Sequence, residues 1–399
     1  MTVARAMTDS RTVTLLIALC AATFVVTSSG PSLAPFLALI AGDLSTTLPS
    51  IAHLFSIQAV VWGMAALVAG MFSDRYGRRG ILVGAVVLLG ATRFGFANAH
   101  SYAQAVSWQI VSGLGGGAFM GTVYATVSDH VPPGSRGRAM SWVITGQSLS
   151  LLLGVPIVTL LGALGGWRGA IAMHGGLVLL VALWARLVTP PDPPHHPHAS
   201  HTKTPLAALL KPKLIALLAA GTTERFCFAA LAVYLPTYLQ QSYGVSLGGL
   251  AIFLALVSAG NLIGNIVGGR IADRTRSRAR VFAIGSGLTA VLALPTLMWQ
   301  PGIAVSVGLG FAYSLVNAAG RPSLMATLAE MPSELRGALF GLNITMASIG
   351  WLTAGSVGAW LIADGGFTSL GIFASIVAAV GCGLALYSVT TPALRATPP

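Results

Sequence analysis

Four side chains that carry full charge lie within long apolar stretches: Arg93, Glu224, Arg225 and Arg321. A charge at the centre of a bilayer costs at least ~2.5–3.5 kcal/mol on insertion scales, so each needs a partner, a wet cavity or a route to the interface. Glu224 is the only acidic residue deep in any such stretch, which makes it the candidate proton carrier. A carboxylate whose pairing changes as a protein moves can take up and release protons. Glu224 lies about ten residues, roughly 15 Å, into its stretch, and Arg321 about eight residues, roughly 12 Å, into its own. Comparable depth is compatible with a Glu224–Arg321 pair. Adjacent helix residues do not face each other, so Arg225 is not the natural partner of Glu224, and one guanidinium is left for an anionic ligand. A static pair that only holds helices together is the plainer use of the same charges. Arg93, near the outer end of its stretch, is expected to snorkel.

The elements that must position these residues follow from composition. Fifty-five per cent of the 399 residues are hydrophobic and 8% are charged, against roughly 25% charged in a soluble domain. Apolar runs recur at 13–38, 47–72, 80–99, 102–129, 138–163, 168–188, 214–240, 247–272, 281–299, 302–329, 336–362 and 366–388. Each suffices to cross the ~30 Å hydrocarbon core as a helix. The first run follows Arg5 and Arg11 but is too long for a signal-peptide core, and is read as a retained helix.

The net charge of +12 is distributed in short hinges between runs, with no basic stripe and no aromatic interleaving, which argues against nucleic acid. Alternate hinges collect the cations: Arg75, Arg78 and Arg79; Arg136 and Arg138; Arg186, Lys203, Lys211 and Lys213; Arg270, Arg274, Arg276, Arg278 and Arg280; Arg336. The remaining hinges hold only Arg168. Because positive residues are retained on the cytoplasmic side, both termini are expected there, in the cytoplasmic (inner) membrane. Cys20, Cys227 and Cys382 all fall inside runs and read as small buried hydrophobes. Residues 189–212 are rich in proline and lack an apolar period, so they are read as a linker between bundles 1–188 and 213–399. Its His195, His196, His198 and His201 have no rigid frame to hold a metal, and no metal or cofactor is expected.

The halves repeat. Gly70–Asp74 (GMFSD) recurs as Gly269–Asp273 (GRIAD), Pro132–Gly137 (PPGSRG) as Pro332–Gly337 (PSELRG), and Gly165–Arg168 (GGWR) as Gly365–Thr368 (GGFT). Parallel six-helix repeats place a substrate site between the halves near the midplane.

The segment GMFSDRYGRRG, between the second and third runs, resembles the signature loop of the major facilitator superfamily, G-x-x-x-D-R-x-G-R-R, through Gly70, Asp74, Arg75, Gly77, Arg78 and Arg79. A partial copy follows the eighth run at Gly269, Asp273, Arg274 and Arg278. The resemblance implies an all-α polytopic protein of twelve transmembrane helices in two pseudo-symmetric six-helix bundles. It also implies that the loop residues, with Asp129 as partner to one arginine and Asp273 and Arg274 in the copy, latch the cytoplasmic side. On physical grounds alone the loop is a positive-inside anchor with a tight turn at Gly77. The fifth run is similar to the corresponding helix of drug and sugar efflux members, through Gly146, Gly154, Pro156 and Gly162. Val155 separates the Gly–Pro pair that antiporters join, and Gln109 stands where many exporters carry Arg. The Glu224–Phe226 triplet is similar to part of the ExxERF motif of proton-coupled peptide transporters, with Gly221 in place of the first Glu.

In the superfamily the first, fourth, seventh and tenth helices line the central cavity. The resemblance therefore assigns substrate contact to Ser28, Ser29, Gln109, Tyr124, Tyr234, Tyr238, Asn317, Arg225 and Arg321, with Pro31 and Met120 as further wall. The expected function is secondary transport of a small organic solute by alternating access, as proton-coupled efflux, with proton-coupled uptake of an organic anion as the alternative. The expected partners are solute, protons and lipid, with no nucleic acid and a monomeric state. No G-x-x-x-x-G-K-[ST], H-E-x-x-H or G-x-S-x-G occurs, so neither a primary pump nor an enzyme is expected.

Overall fold

The computed structural model describes residues 10–131, 136–191, 211–275, 277–329 and 333–389, and every described element is helical. The first crossing combines α1 (Ser10–Ser28), a 3-10 turn (Pro31–Phe36) and α2 (Leu37–Asp43). It bends where Pro31 and Pro35 remove backbone donors. Then follow α3 (Leu48–Tyr76), α4 (Arg78–Ala97), α5 (Tyr102–His130), α6 (Arg136–Leu149), a π turn (Ser150–Gly154) and α7 (Val155–Val188). Further on come α8 (Pro212–Tyr243), α9 (Leu247–Arg274), α10 (Arg278–Met298), α11 (Ile303–Ala329) and α12 (Ser333–Val389).

Among the described residues, ten continuous runs are long and apolar enough to cross a membrane, but two are double length, Ala139–Val188 and Leu342–Ser388. Each is broken at the repeated Gly-Gly landmark, by Gly166 at φ 73° and Gly366 at φ 68°. Those left-handed values are open to glycine at little steric cost, so each run turns back on itself and the crossings number twelve. Leu180, Leu183 and Leu187 on α7 are 66%, 58% and 73% exposed in a single outward stripe. In water this would be an association patch; in lipid it is an ordinary surface.

The described chain divides into two compact units. The first holds α1–α7 and Val245–Ala255; the second holds α8, the remainder of α9 and α10–α12. Residues 192–210, including the linker histidines, lie outside the described residues. Cys20, Cys227 and Cys382 are free thiols, the second fully buried.

Helix pairs approach closely along glycine stripes. On α5, a Cβ at Gly113, Gly117 or Gly121 would collide with the α3 carbonyls of Gln58, Trp62 and Ala66. On α9, Gly260, Gly264 and Gly268 stand in the same relation to Phe311, Leu315 and Ala319 of α11. A third stripe, Gly146, Gly154 and Gly162, abuts Cys20, Ser28 and Phe36 of the first crossing. Without a hydrophobic driving force between helices in lipid, such backbone proximity is the principal source of packing energy.

Candidate functional site

Within the second unit, α8 carries Glu224 and Arg225, 5% and 9% exposed. The expected Glu224–Arg321 pair does not form. Arg225 Nε donates to Glu224 Oε2 at 2.6 Å, and Arg225 Nη2 donates to Oε1, a bidentate bond between neighbours in sequence. The reason is one of depth and reach. Asn317 Nδ2 meets the Glu224 carbonyl at 3.5 Å, which puts Asn317 level with Glu224. Arg321 therefore sits one turn, about 6 Å, nearer the end of α11, and is half-buried there. The long arm of Arg225 folds back to Glu224, while its guanidinium rests 4.7 Å above the Phe228 ring. Gly350 of α12 leaves no room behind the Arg225 Cβ, and Trp351 meets Phe228 edge-on at 5.9 Å.

Around this pair, Tyr313 donates to the Cys227 carbonyl at 3.0 Å, and Asn317 Oδ1 has no partner among the described residues. Tyr234 and Tyr238 are fully buried. Their hydroxyls donate to backbone carbonyls, Tyr234 to Ala354 and Gly355 at 3.2 and 2.9 Å, and Tyr238 to Trp299 at 2.8 Å. Bonds of that kind join α8 to α12 and to the end of α10.

In the first unit, Ser28 and Ser29 are buried where α1 ends. Ser28 Oγ is 3.0 Å from His174 Nε2 on α7. Gln58 donates to Ser112 Oγ at 2.9 Å, while Gln109 is buried with Nε2 unpartnered. Tyr124 and Met120 are half-buried against the apolar core of α1, α4 and α5. The sequence reading missed His174, Gln58 and Ser112. His174 was legible as an ionisable residue within the sixth run; a census confined to Arg and Glu passes over a side chain that is neutral at rest. Arg93 corrects a further expectation, since it is 1% exposed and does not snorkel. Arg168 bonds the carbonyls of Ala97 and Ala99 at 2.7 Å, about one turn further along the chain from Arg93.

At the loop between α3 and α4, Arg78 pairs with Asp129 at 2.8 Å. Gly77 holds φ 93°, the turn that lets α3 give way to α4. Arg79 Nη2 donates to the Arg186 carbonyl at 2.7 Å, and Arg75 lies 5.4 Å over the Tyr76 ring. Gly70 and Asp74 belong to α3, with side-chain surroundings outside the described residues. In the partial copy Asp273 and Arg274 are exposed, while Arg278 Nε caps α9 through the Ala272 carbonyl at 3.0 Å.

Comparison with known proteins follows this geometry. The family model described as Major Facilitator Superfamily matches residues 15–319 and 251–399. The chloramphenicol resistance protein of Streptomyces lividans is 26% identical over 343 residues, 80% of this chain and 84% of that protein. The 3-(3-hydroxy-phenyl)propionate transporter of Escherichia coli (strain K12) is 28% identical over 352 residues, 84% and 83% of the two chains. A bacterial homolog of the human lysosomal transporter Spinster, solved inward-facing and occupied, matches in fold with a TM-score of 0.79 at 16% identity, over 96% of this chain and 98% of that one. Twelve crossings, a repeated Gly-Gly break and a family match along nearly the whole chain lead to one conclusion: the chain belongs to the Major Facilitator Superfamily and is a membrane transporter, not an enzyme.

Proposed function

We propose that the protein carries a small aromatic organic anion together with a proton, by alternating access between bundles 1–188 and 213–399. The observation that carries this reading is the buried bidentate Glu224–Arg225 pair. While Glu224 is ionised, the guanidinium already has its carboxylate. Protonation of Glu224 neutralises that partner, and a solute carboxylate can then take its place on Arg225 through the same two-pronged geometry. Proton and anion thus load in one state and leave in the other, which is symport. The Phe228 ring beneath the guanidinium and Trp351 beside it suit a ring-bearing solute. Asn317 and Arg321, level with the pair and one turn away, supply further polar contacts. Similarity to a transporter of 3-(3-hydroxy-phenyl)propionate supports the same class.

Efflux in exchange for protons is the second reading, favoured by the similarity to a chloramphenicol resistance protein. In that case solute and proton compete for the Glu224 state instead of sharing it. Reconstitution into proteoliposomes separates the two. Symport predicts that an inward proton gradient drives accumulation of 3-(3-hydroxyphenyl)propionate, that a protonophore abolishes it, and that Glu224→Gln loses accumulation but keeps solute exchange. Chloramphenicol-dependent proton movement opposite to the drug, with no carboxylate uptake, would replace symport by antiport. Unchanged coupled flux in Glu224→Gln would remove Glu224 from either mechanism.

A further inference from the structure

Deep in the first unit lies a cation with no visible counter-charge. Arg93 on α4 is 1% exposed, and its Nε, Nη1 and Nη2 all lack a hydrogen-bond partner among the described residues. A guanidinium presents five N–H donors and does not lose its proton in proteins. Leaving such a charge buried and unmatched costs several kcal/mol, which is why buried charges are found paired.

The carboxylates described in this unit are engaged elsewhere. Asp43 accepts from Trp167 Nε1 at 2.8 Å and faces Arg168 at 3.5 Å. Asp129 is held by Arg78 at the opposite end of α4. The Arg168 bonds to Ala97 and Ala99 close the outer side about one turn, or ~6 Å, beyond Arg93.

The walls of the site are polar on one side and tight on the other. His174 on α7 is the neighbour in sequence of Gly175, where α7 touches Arg93. Its Nε2 meets Ser28 Oγ at 3.0 Å, and its Nδ1 is buried without a partner. Behind Arg93, Gly175 brings α7 so near that an added Cβ would lie 2.7 Å from the Arg93 Cβ and 3.2 Å from the Gly90 carbonyl oxygen. Helices in such contact leave no passage for an organic solute, so an occupant beside the guanidinium has to be compact.

We propose that Arg93 is a binding site for a chloride-sized inorganic anion inside the N-terminal bundle, separate from the Glu224–Arg225 pair. The anion supplies the missing counter-charge on Arg93. The inference is independent of which solute is carried and of whether Glu224 moves the proton.

Thermal unfolding of the purified full chain in detergent tests it, with sodium chloride or bromide exchanged for gluconate at constant ionic strength. The expected result is a saturable rise in Tm with either halide, absent in Arg93→Gln. Equal Tm in halide and gluconate, or a full halide response in Arg93→Gln, overturns the site. Because Arg93→Gln could unfold for its own reasons, bromide anomalous diffraction on crystals of the unaltered protein gives a second reading. A peak beside the Arg93 guanidinium supports the proposal, and bromide sites only elsewhere refute it.

Discussion

Among the described residues, each unit buries one arginine deeply, and the two are treated differently. In the second unit Arg225 has a carboxylate one residue away and an aromatic ring beneath it. In the first, Arg93 is buried more completely, yet no described side chain bonds it. At the offset that relates Gly166 to Gly366, Glu224 and Arg225 correspond to Phe24 and Val25, and Arg93 to Ala293. The charges are therefore not part of the repeat. Two copies of one scaffold carry separate polar devices: a self-contained pair in one, and a cation that looks to something outside the chain in the other.

The largest expected effect breaks the self-contained pair. Glu224→Leu leaves the Arg225 guanidinium buried and uncompensated, and should destabilise the protein by ~3–5 kcal/mol in equilibrium unfolding with dodecyl sulfate in mixed micelles. Removing both charges, as Glu224→Leu with Arg225→Met, should recover most of that loss, because nothing charged is then left without a partner. A double variant no more stable than the single one would mean that the pair shapes the bundle in another way.

The corresponding change in the first unit should have the opposite sign. In gluconate, Arg93→Met removes a buried charge that has no partner, and by analogy with buried ion pairs replaced by apolar residues should leave stability equal or raise it by ~1–4 kcal/mol. The same unfolding titration reads it out. A loss of several kcal/mol in gluconate would show that Arg93 is already compensated within the protein, and the contrast between the units would vanish.

The scaffold beneath these charges differs in a second respect. The second and fourth crossings of the first half pack through glycines on the fourth, α5; their counterparts in the second half pack through glycines on the eighth, α9. Placing the stripe on α9 leaves α11 able to carry Tyr313 and Asn317 beside Cys227 and Glu224. Gly117→Val and Gly264→Val should each cost about 1–3 kcal/mol, since a Cβ at either meets a backbone carbonyl that cannot rotate away. Gly176→Ala, where nothing lies within 4 Å, should instead stabilise by about 0.4–1 kcal/mol. Equal effects at all three positions would sever the link between stripe and packing.

Much of the fold was legible because lipid imposes it. Apolar runs of spanning length, alternating cationic hinges and the repeated Gly-Gly landmarks predict twelve crossings, and the breaks at Gly166 and Gly366 fall where the repeat puts them. The Asp129 pairing with a loop arginine was legible from the motif, and Arg78 makes it. Partnership inside the bundles was less so. Depth along a helix is known only to a turn or so from sequence, and one turn separates Asn317, level with Glu224, from Arg321. The rule that adjacent helix residues diverge holds for short side chains; the arm of Arg225 is long enough to fold back. His174 and Ser28 come together across 146 positions of sequence, and no local period announces that.

The smallest expected effect concerns the loop between α3 and α4, where the first half has an ion pair and the copy has a backbone cap. Arg78 and Asp129 are partly exposed, with side-chain accessibilities of 20% and 29%. Water already screens such a pair, so Asp129→Asn should lower stability by only ~0.2–1 kcal/mol. A latch works by favouring one conformation over another, and even that modest difference shifts a two-state balance several-fold. Asp129→Asn should therefore change cysteine-labelling rates at the Asp129 end of α5 far more than it changes Tm. Matching small changes in both would reduce the pair to an anchor, and the Arg278 cap, tested by Arg278→Gln, provides the comparison in the second half.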